Sequence, residues 1–360
     1  MRYFTVANKK KNHEPERRLM TLLNRITGLD REAIGTLLEK GRDWDSFCRT
    51  SVALLAAPLF YWNLKPWEGQ EPIATELIPF LREEYLETLA RNLYLFHECD
   101  TVLEKLAGKG IPVIPLKGAA LARDLYPSIA VRPMFDIDLL VRREDLPAVD
   151  EVLRKNRYRP LSAPDPGKGF TYESHYIKET KAPVVLEIHW NLGEENRYRL
   201  DIDGIWSRAV PNAGGTGLAM SAEDTLLYLA QHFFKHYLFK RLIWLCDIHE
   251  WIGREDIRWD LLIERAQSQS IATFLFYTLK IYEDFYETDL PIRPESILKI
   301  GPLRKAVLNG YVRRFPMFRS VEKENYLRQR IFAFSCIDRM PDRLRFTMDA
   351  LRRDRERRSA

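Results

Sequence analysis

Asp136 and Asp138 stand two apart in the run Phe135-Asp-Ile-Asp-Leu-Leu-Val141. A strand's period of two throws both carboxylates onto one face and Ile137 onto the other. Two acids on one face of an apolar strand repel each other and lose hydration, so a divalent metal between them is the economical expectation. On that reading the metal-free site stores like-charge repulsion, and neutralising one acid should not weaken the fold. Glu187, in Val184-Val-Leu-Glu-Ile-His-Trp190, is a further acid on an apolar, strand-like segment. Upstream, Lys117-Gly118-Ala119 follows the apolar stretch 111–116 and precedes a helix-like stretch to Leu125. A glycine at a strand-to-helix junction leaves backbone N–H groups open to a phosphate. Asp-x-Asp alone is a weak signal; it gains force from Gly118 before it and Glu187 after it.

A glycine turn, an Asp-x-Asp strand and a third acid on a later strand together resemble the nucleotidyltransferase superfamily of the DNA polymerase β type. More narrowly, LKGAAL, the Arg132 that precedes FDIDLLV, and LEIHW resemble a bacterial family described as uncharacterised nucleotidyltransferases. The resemblance implies transfer of a nucleoside monophosphate from an NTP, with ATP as the expected nucleotide, to an acceptor hydroxyl with release of pyrophosphate. It implies Mg²⁺ or Mn²⁺ held by Asp136, Asp138 and Glu187, with Glu187 also drawing the acceptor's proton. Nucleotide binding falls to Lys117, Gly118, Ala119 and Arg132. Ala119 departs from the superfamily's small polar residue, so the phosphates must rely on backbone amides and a cation. The alternative is a catalytically inactive nucleotide-binding or scaffold protein of the same fold. A degraded site should have lost a carboxylate, and all three are present.

Each of these residues also has a plain structural reading. Lys117 could end a strand in solvent, Arg132 could pair with Asp124 or Asp136, and Glu187 could be an ordinary salt-bridged acid. His189 shares a strand face with Glu187, where it orients the acid, touches the acceptor, or fills space with one hydrogen bond. His232 and His236 are four apart on a helical stretch, a spacing able to chelate zinc, but Phe233-Phe-Lys235 lacks the glutamate of a zinc hydrolase. With Arg241, Trp244 and Asp247 they are acceptor-side candidates lining a cleft, or else parts of a helix–helix interface.

The elements that must position these groups read as an α+β fold: a small mixed β-sheet nucleotidyltransferase core with helices, flanked by N- and C-terminal helical regions. The expected division is 1–75, helical; 76–215, the α/β core; and 216–360, helical. Polar residues 1–16 read as frayed, Pro79 to Lys109 as a long helix, and Arg143 to Asn156 as a helix with Asp145 and Pro147 in its first turn. Pro166-Gly-Lys-Gly169 reads as a turn, and Ser221 with Asp224 as a capping box.

With 56 Lys and Arg against 51 Asp and Glu, the net charge of +5 is mild for 360 residues. No nucleic-acid recognition module or strong basic stripe is present, so an RNA acceptor is disfavoured beside a sugar, another small molecule or a protein. Four scattered cysteines form no metal-binding pair, and buried free thiols in a reducing cytoplasm is the expectation. No stretch is long and apolar enough for a membrane span. Walker, nucleophile-elbow and dinucleotide-binding motifs are absent from the sequence.

Overall fold

The computed structural model describes residues 14–38, 43–70, 73–161, 171–180, 182–212, 215–236, 241–297, 300–314 and 326–359. Most of the expected frayed N-terminus and the Pro166–Gly169 turn lie outside the described residues. The chain opens with α1 (Glu14–Leu23), α2 (Arg31–Leu38), α3 (Trp44–Ala53), α4 (Ala57–Leu64), α5 (Ile73–Glu76) and the long α6 (Ile78–Ala107). There follow β1 (Val113–Pro115), α7 (Lys117–Asp124), β2 (Ile137–Val141), α8 (Leu146–Lys155), β3 (Arg159–Pro160), β4 (Glu173–Lys178) and β5 (Val184–His189). After α9 (Ile202–Arg208), β6 (Val210–Pro211) and β7 (Leu218–Ala219), the chain is helical again. Its last helices are α10 (Ala222–Lys235), α11 (Leu242–Arg254), α12 (Trp259–Ser268), α13 (Ala272–Tyr286), α14 (Pro302–Arg314), α15 (Tyr326–Cys336) and α16 (Met340–Ser359). This is an α+β fold.

Strands β1 to β5 form one mixed sheet in the order β1-β2-β5-β4-β3. β2 and β5 are parallel at its centre, and the other neighbours are antiparallel. Ile137, Leu139 and Val141 of β2, Leu186 and Ile188 of β5 and Tyr176 of β4 are buried against Leu95, Val102 and Leu106 of α6 and Val149 and Leu153 of α8. Each such aliphatic burial is worth about 1.5–3 kcal/mol, so this face fixes the register. Alternation then leaves no choice for the residues between. Asp138 of β2, Glu187 and His189 of β5, and Glu173 and His175 of β4 go to the opposite face.

A second core joins the two ends of the chain. Leu19 and Leu23 of α1, Phe47 of α3 and Phe60 of α4 pack in one cluster with Phe233 and Phe234 of α10, Leu245 of α11, Phe274 of α13 and Phe332 of α15. The described helices α1, α3 and α4 are therefore packed on α10, α11, α13 and α15. Buried Asn24 donates to the Leu242 carbonyl at 3.1 Å, tying the end of α1 to α11, and Asn63 donates to the Leu23 carbonyl at 2.8 Å, tying α4 to α1, so their amide N–H groups are satisfied inside this core.

Two local differences from the sequence reading have identifiable causes. β2 begins at Ile137, two residues later than expected, because Asn92 of α6 holds the preceding segment as a loop. Its Nδ2 donates to the carbonyls of Ile129 (2.5 Å) and Arg132 (2.8 Å), and its Oδ1 accepts from the Met134 N–H (3.2 Å). Asp136 thus sits in a bend just ahead of the strand. At α10, the Ser221 hydroxyl accepts from the Asp224 N–H at 3.3 Å, as a cap should, but the Asp224 carboxylate is taken by Arg208 (2.8 Å) and Arg265 (3.1 Å). All four cysteines are free and buried. Among the described residues no helix is long and apolar enough to cross a membrane.

Candidate active site

Strand register brings the carboxylates together. Asp138 is the Cα partner of Glu187 across the parallel β2–β5 pair, Glu187 is the partner of His175 across β5–β4, and His189 is the partner of Glu173. Ligand atoms of Asp138, Glu187 and His189 all lie within 4.8 Å of one another, and so do those of Glu173, His175 and Glu187.

Lys117 reaches into this group from the first position of α7. Its backbone is left-handed, with φ 44°, a conformation that costs on the order of 1 kcal/mol or more in a residue with a Cβ and that concentrates at functional sites. Its Nζ lies 2.6 Å from Asp138 Oδ1 and 3.8 Å from Glu187 Oε2. Burial opposes the ammonium charge, yet Tyr228, Asp138 and Glu187 hold its pKa well above the usual lysine value. The Tyr228 phenol is itself pushed well up by burial and is neutral near pH 7, so the carboxylates carry the effect there.

Asp138 is 2% exposed. Burial works against its ionisation, but Lys117 and His189 overcome that and hold it well below the usual carboxylate range. His189 Nε2 donates to Asp138 Oδ1 at 3.0 Å. Burial disfavours the imidazolium, and the contacts with Asp138 and Glu187 outweigh it, lifting the pKa to about 9. Asp136 lies outside both clusters of ligand atoms. Burial first, then the charges of Asp138 and Glu187, raise its pKa to about 6 against the pull of Lys117 and Arg132. The like-charge repulsion expected of the pair therefore falls on Asp136 alone.

The structure brings Asp138, Glu187, His189 and Lys117 together and directs Arg132 elsewhere. Arg132 is buried, with Nε and Nη2 donating to Asp247 Oδ1 (2.9 Å) and Oδ2 (2.8 Å), while the Tyr126 hydroxyl also donates to Asp247 at 2.7 Å. A nucleotide-side and an acceptor-side candidate are thus joined in one ion pair. Gly118 lies against this arrangement: a Cβ there would come within 2.6 Å of Met134 Cγ and 2.8 Å of Arg132 Nη1. Ala119 packs partly buried on the sheet–helix core. The Gly118 and Ala119 amides of α7 precede the first intrahelical bond, from the Ala120 N–H to the Leu116 carbonyl at 3.4 Å, and no side chain of the capping residue meets them.

His232 and His236 have ring centroids 4.9 Å apart, and His232 lies 4.4 Å from the Trp244 ring. Burial is the leading cause that holds His232 well below the ordinary histidine value and His236 at about 4, so both are neutral near pH 7. Neither belongs to a group of metal-capable ligands among the described residues. Arg241 donates to the Ala53 carbonyl at 2.7 Å, fastening the start of α11 to α3.

Glu173 and His175 are site residues that sequence reasoning passed over. The signal was present: Glu173-Ser-His175 has the same Glu-x-His spacing as Glu187-Ile-His189. Tyr172 and Lys235 border the same face, Lys235 Nζ donating to the Tyr172 hydroxyl at 3.0 Å and to Glu194 Oε2 at 3.3 Å. A cavity of about 480 Å³ lined by Arg142, Trp190 and Arg199 lies beyond the end of β5 and does not include the carboxylates.

Residues 40–287 match the sequence model of a family described as uncharacterised nucleotidyltransferase. No curated protein matches the chain.

Proposed function

Since the chain belongs to this uncharacterised nucleotidyltransferase family, we propose that it moves a nucleoside monophosphate from an NTP, ATP being our choice, to an acceptor hydroxyl with release of pyrophosphate. The observation that carries this reading is the pairing of Asp138 with Glu187 on adjacent parallel strands, with Asp136 in the bend just before. The donors fit a divalent cation. The Asp136 carboxylate forms no hydrogen bond among the described residues, and burial first, then the nearby charges of Asp138 and Glu187, hold its pKa up at about 6, a carboxylate that a cation would help to ionise. Asp136, Asp138 and Glu187 would hold Mg²⁺ or Mn²⁺ through oxygen, which suits both ions. Such an ion supplies charge stabilisation to the attacking and leaving oxygens.

The chain's own groups divide the rest of the work. Glu187, whose side chain is 20% exposed against 3% for Asp138, is open to an incoming hydroxyl and accepts its proton. Lys117 and the uncapped amides of Gly118 and Ala119 bind the β- and γ-phosphates. Arg132, held by Asp247, positions the loop that carries Asp136. Four buried free cysteines suit the reducing cytoplasm that we assign as its location.

The test is incubation with each α-labelled NTP, Mg²⁺ and a cell extract. Label should enter one fraction with matching pyrophosphate release, and Asp138→Asn should abolish both. NTP binding without label transfer or pyrophosphate would establish the alternative, a binding protein without turnover.

A further inference from the structure

Two Glu-x-His segments cross on the sheet face, so that Glu187 opposes His175 and Glu173 opposes His189. The two oxygens of Glu187 face different neighbours. Oε2 lies 3.8 Å from Lys117 Nζ and 3.7 Å from His189 Nε2, whereas Oε1 lies 3.8 Å from His175 Nε2. His175 Nε2 is in turn 3.4 Å from Glu173 Oε1. Behind these groups His189 is 2% exposed; its Nδ1 lies 3.1 Å from Glu173 Oε2 but lacks hydrogen-bond geometry and has no other partner. We propose that Glu173, His175 and Glu187 form a second divalent-cation position, bridged by Glu187 to the Asp138 position, and that it prefers a transition ion such as Mn²⁺ to Mg²⁺.

Donors bound about 2.1 Å from one ion stand roughly 3–3.5 Å apart, and His175 Nε2 is already 3.4 Å from Glu173 Oε1 and 3.8 Å from Glu187 Oε1, with one ligand atom of each of the three residues within 4.8 Å of the others. An imidazole nitrogen beside two carboxylates favours a first-row transition ion, because Mg²⁺ selects oxygen. With Glu173 Oε1 on the ion, the Nδ1–H of His189 turns to Oε2 and fixes the carboxylate, the usual task of an outer-shell partner. His175, 42% exposed, opens the position to solvent and gives the ion an entry path. The position rests on the metal reading above through the shared Glu187.

Mn²⁺ titration of the full chain, with free ion followed by electron paramagnetic resonance, tests it without reference to turnover. About two ions should bind per wild-type chain, and about one to His175→Ala or Glu173→Gln, each losing the second ion through at least a roughly tenfold fall in affinity. Excess Mg²⁺ should displace the ion at Asp138 and leave the other. A wild-type stoichiometry of one, wild-type binding by both variants, or displacement of both ions by Mg²⁺ overturns the proposal. Two bound ions in a chain that transfers no nucleotide support this position and refute only the activity proposed above.

Discussion

Arg132 and Asp247 meet as a two-pronged buried ion pair that ties the loop before β2 to α11, with side chains 6% and 1% exposed. Removing one partner strands the other charge away from water, a loss of about 3–5 kcal/mol. Asp247→Ala and Arg132→Ala should each lower the denaturation midpoint accordingly. Replacing both with leucine should restore much of the loss, which a double-mutant cycle would measure. Single variants as stable as wild type would show that the loop is held by Asn92 alone.

Gly118 follows from the same contact. A Cβ at 2.6 Å from Met134 Cγ and 2.8 Å from Arg132 Nη1 forces side chains to move, and the arginine is pinned by its ion pair. Gly118→Ala should therefore cost about 1–3 kcal/mol, the range for overpacking, before any effect on phosphate binding. Thermal melts decide it; an unchanged melting temperature would mean that Met134 yields freely.

Asp138 and Glu187 were legible because each stands between buried residues of a strand, where alternation dictates the face. The mixed α+β class was legible from the same patterns. What hid Glu173 and His175 was pairing: nothing in a single strand says that β4 lies antiparallel beside β5 in the register that opposes His175 to Glu187. The Arg132–Asp247 pair spans 115 positions, and the core that joins α1 to α10 spans still more. Periodicity is local, and such contacts are fixed only when whole helices pack.

Two groups make stability fall with rising pH in the metal-free protein, each in its own window. Asp136 rises from 3.8 to about 6 on folding, so the native chain binds more protons than the unfolded chain between those values and stability falls as pH rises through them. His189 rises from 6.5 to about 9, so its contribution is complete below 6.5 and is lost as pH climbs through about 9. Denaturant titrations across this range should show the acid-side slope vanish in Asp136→Asn and the alkaline-side slope vanish in His189→Gln. An acid-side slope that persists in Asp136→Asn would assign it to another carboxyl.

Like-charge repulsion alone predicts that neutralising either acid of the pair eases the metal-free fold, but their contacts separate them. Asp138 accepts from Lys117 at 2.6 Å and from His189 at 3.0 Å, so Asp138→Asn leaves the partly buried Lys117 and the buried His189 short of their counter-charge. That change should destabilise the protein by on the order of 3 kcal/mol. Asp136 makes no such bonds and is raised by burial and by its neighbours' charges. Asp136→Asn should leave stability at pH 7 unchanged or improved. Both variants should lose pyrophosphate release, since each 1.36 kcal/mol of lost transition-state stabilisation is about tenfold in rate. The pair thus separates function from folding: Asp138→Asn loses both, whereas Asp136→Asn loses activity in a fully folded chain. Melting temperatures in EDTA, set beside pyrophosphate release with Mg²⁺ and an acceptor-containing extract, test both halves. Full activity in Asp136→Asn would remove Asp136 from the site, and equal destabilisation by the two changes would refute the division of charge between them.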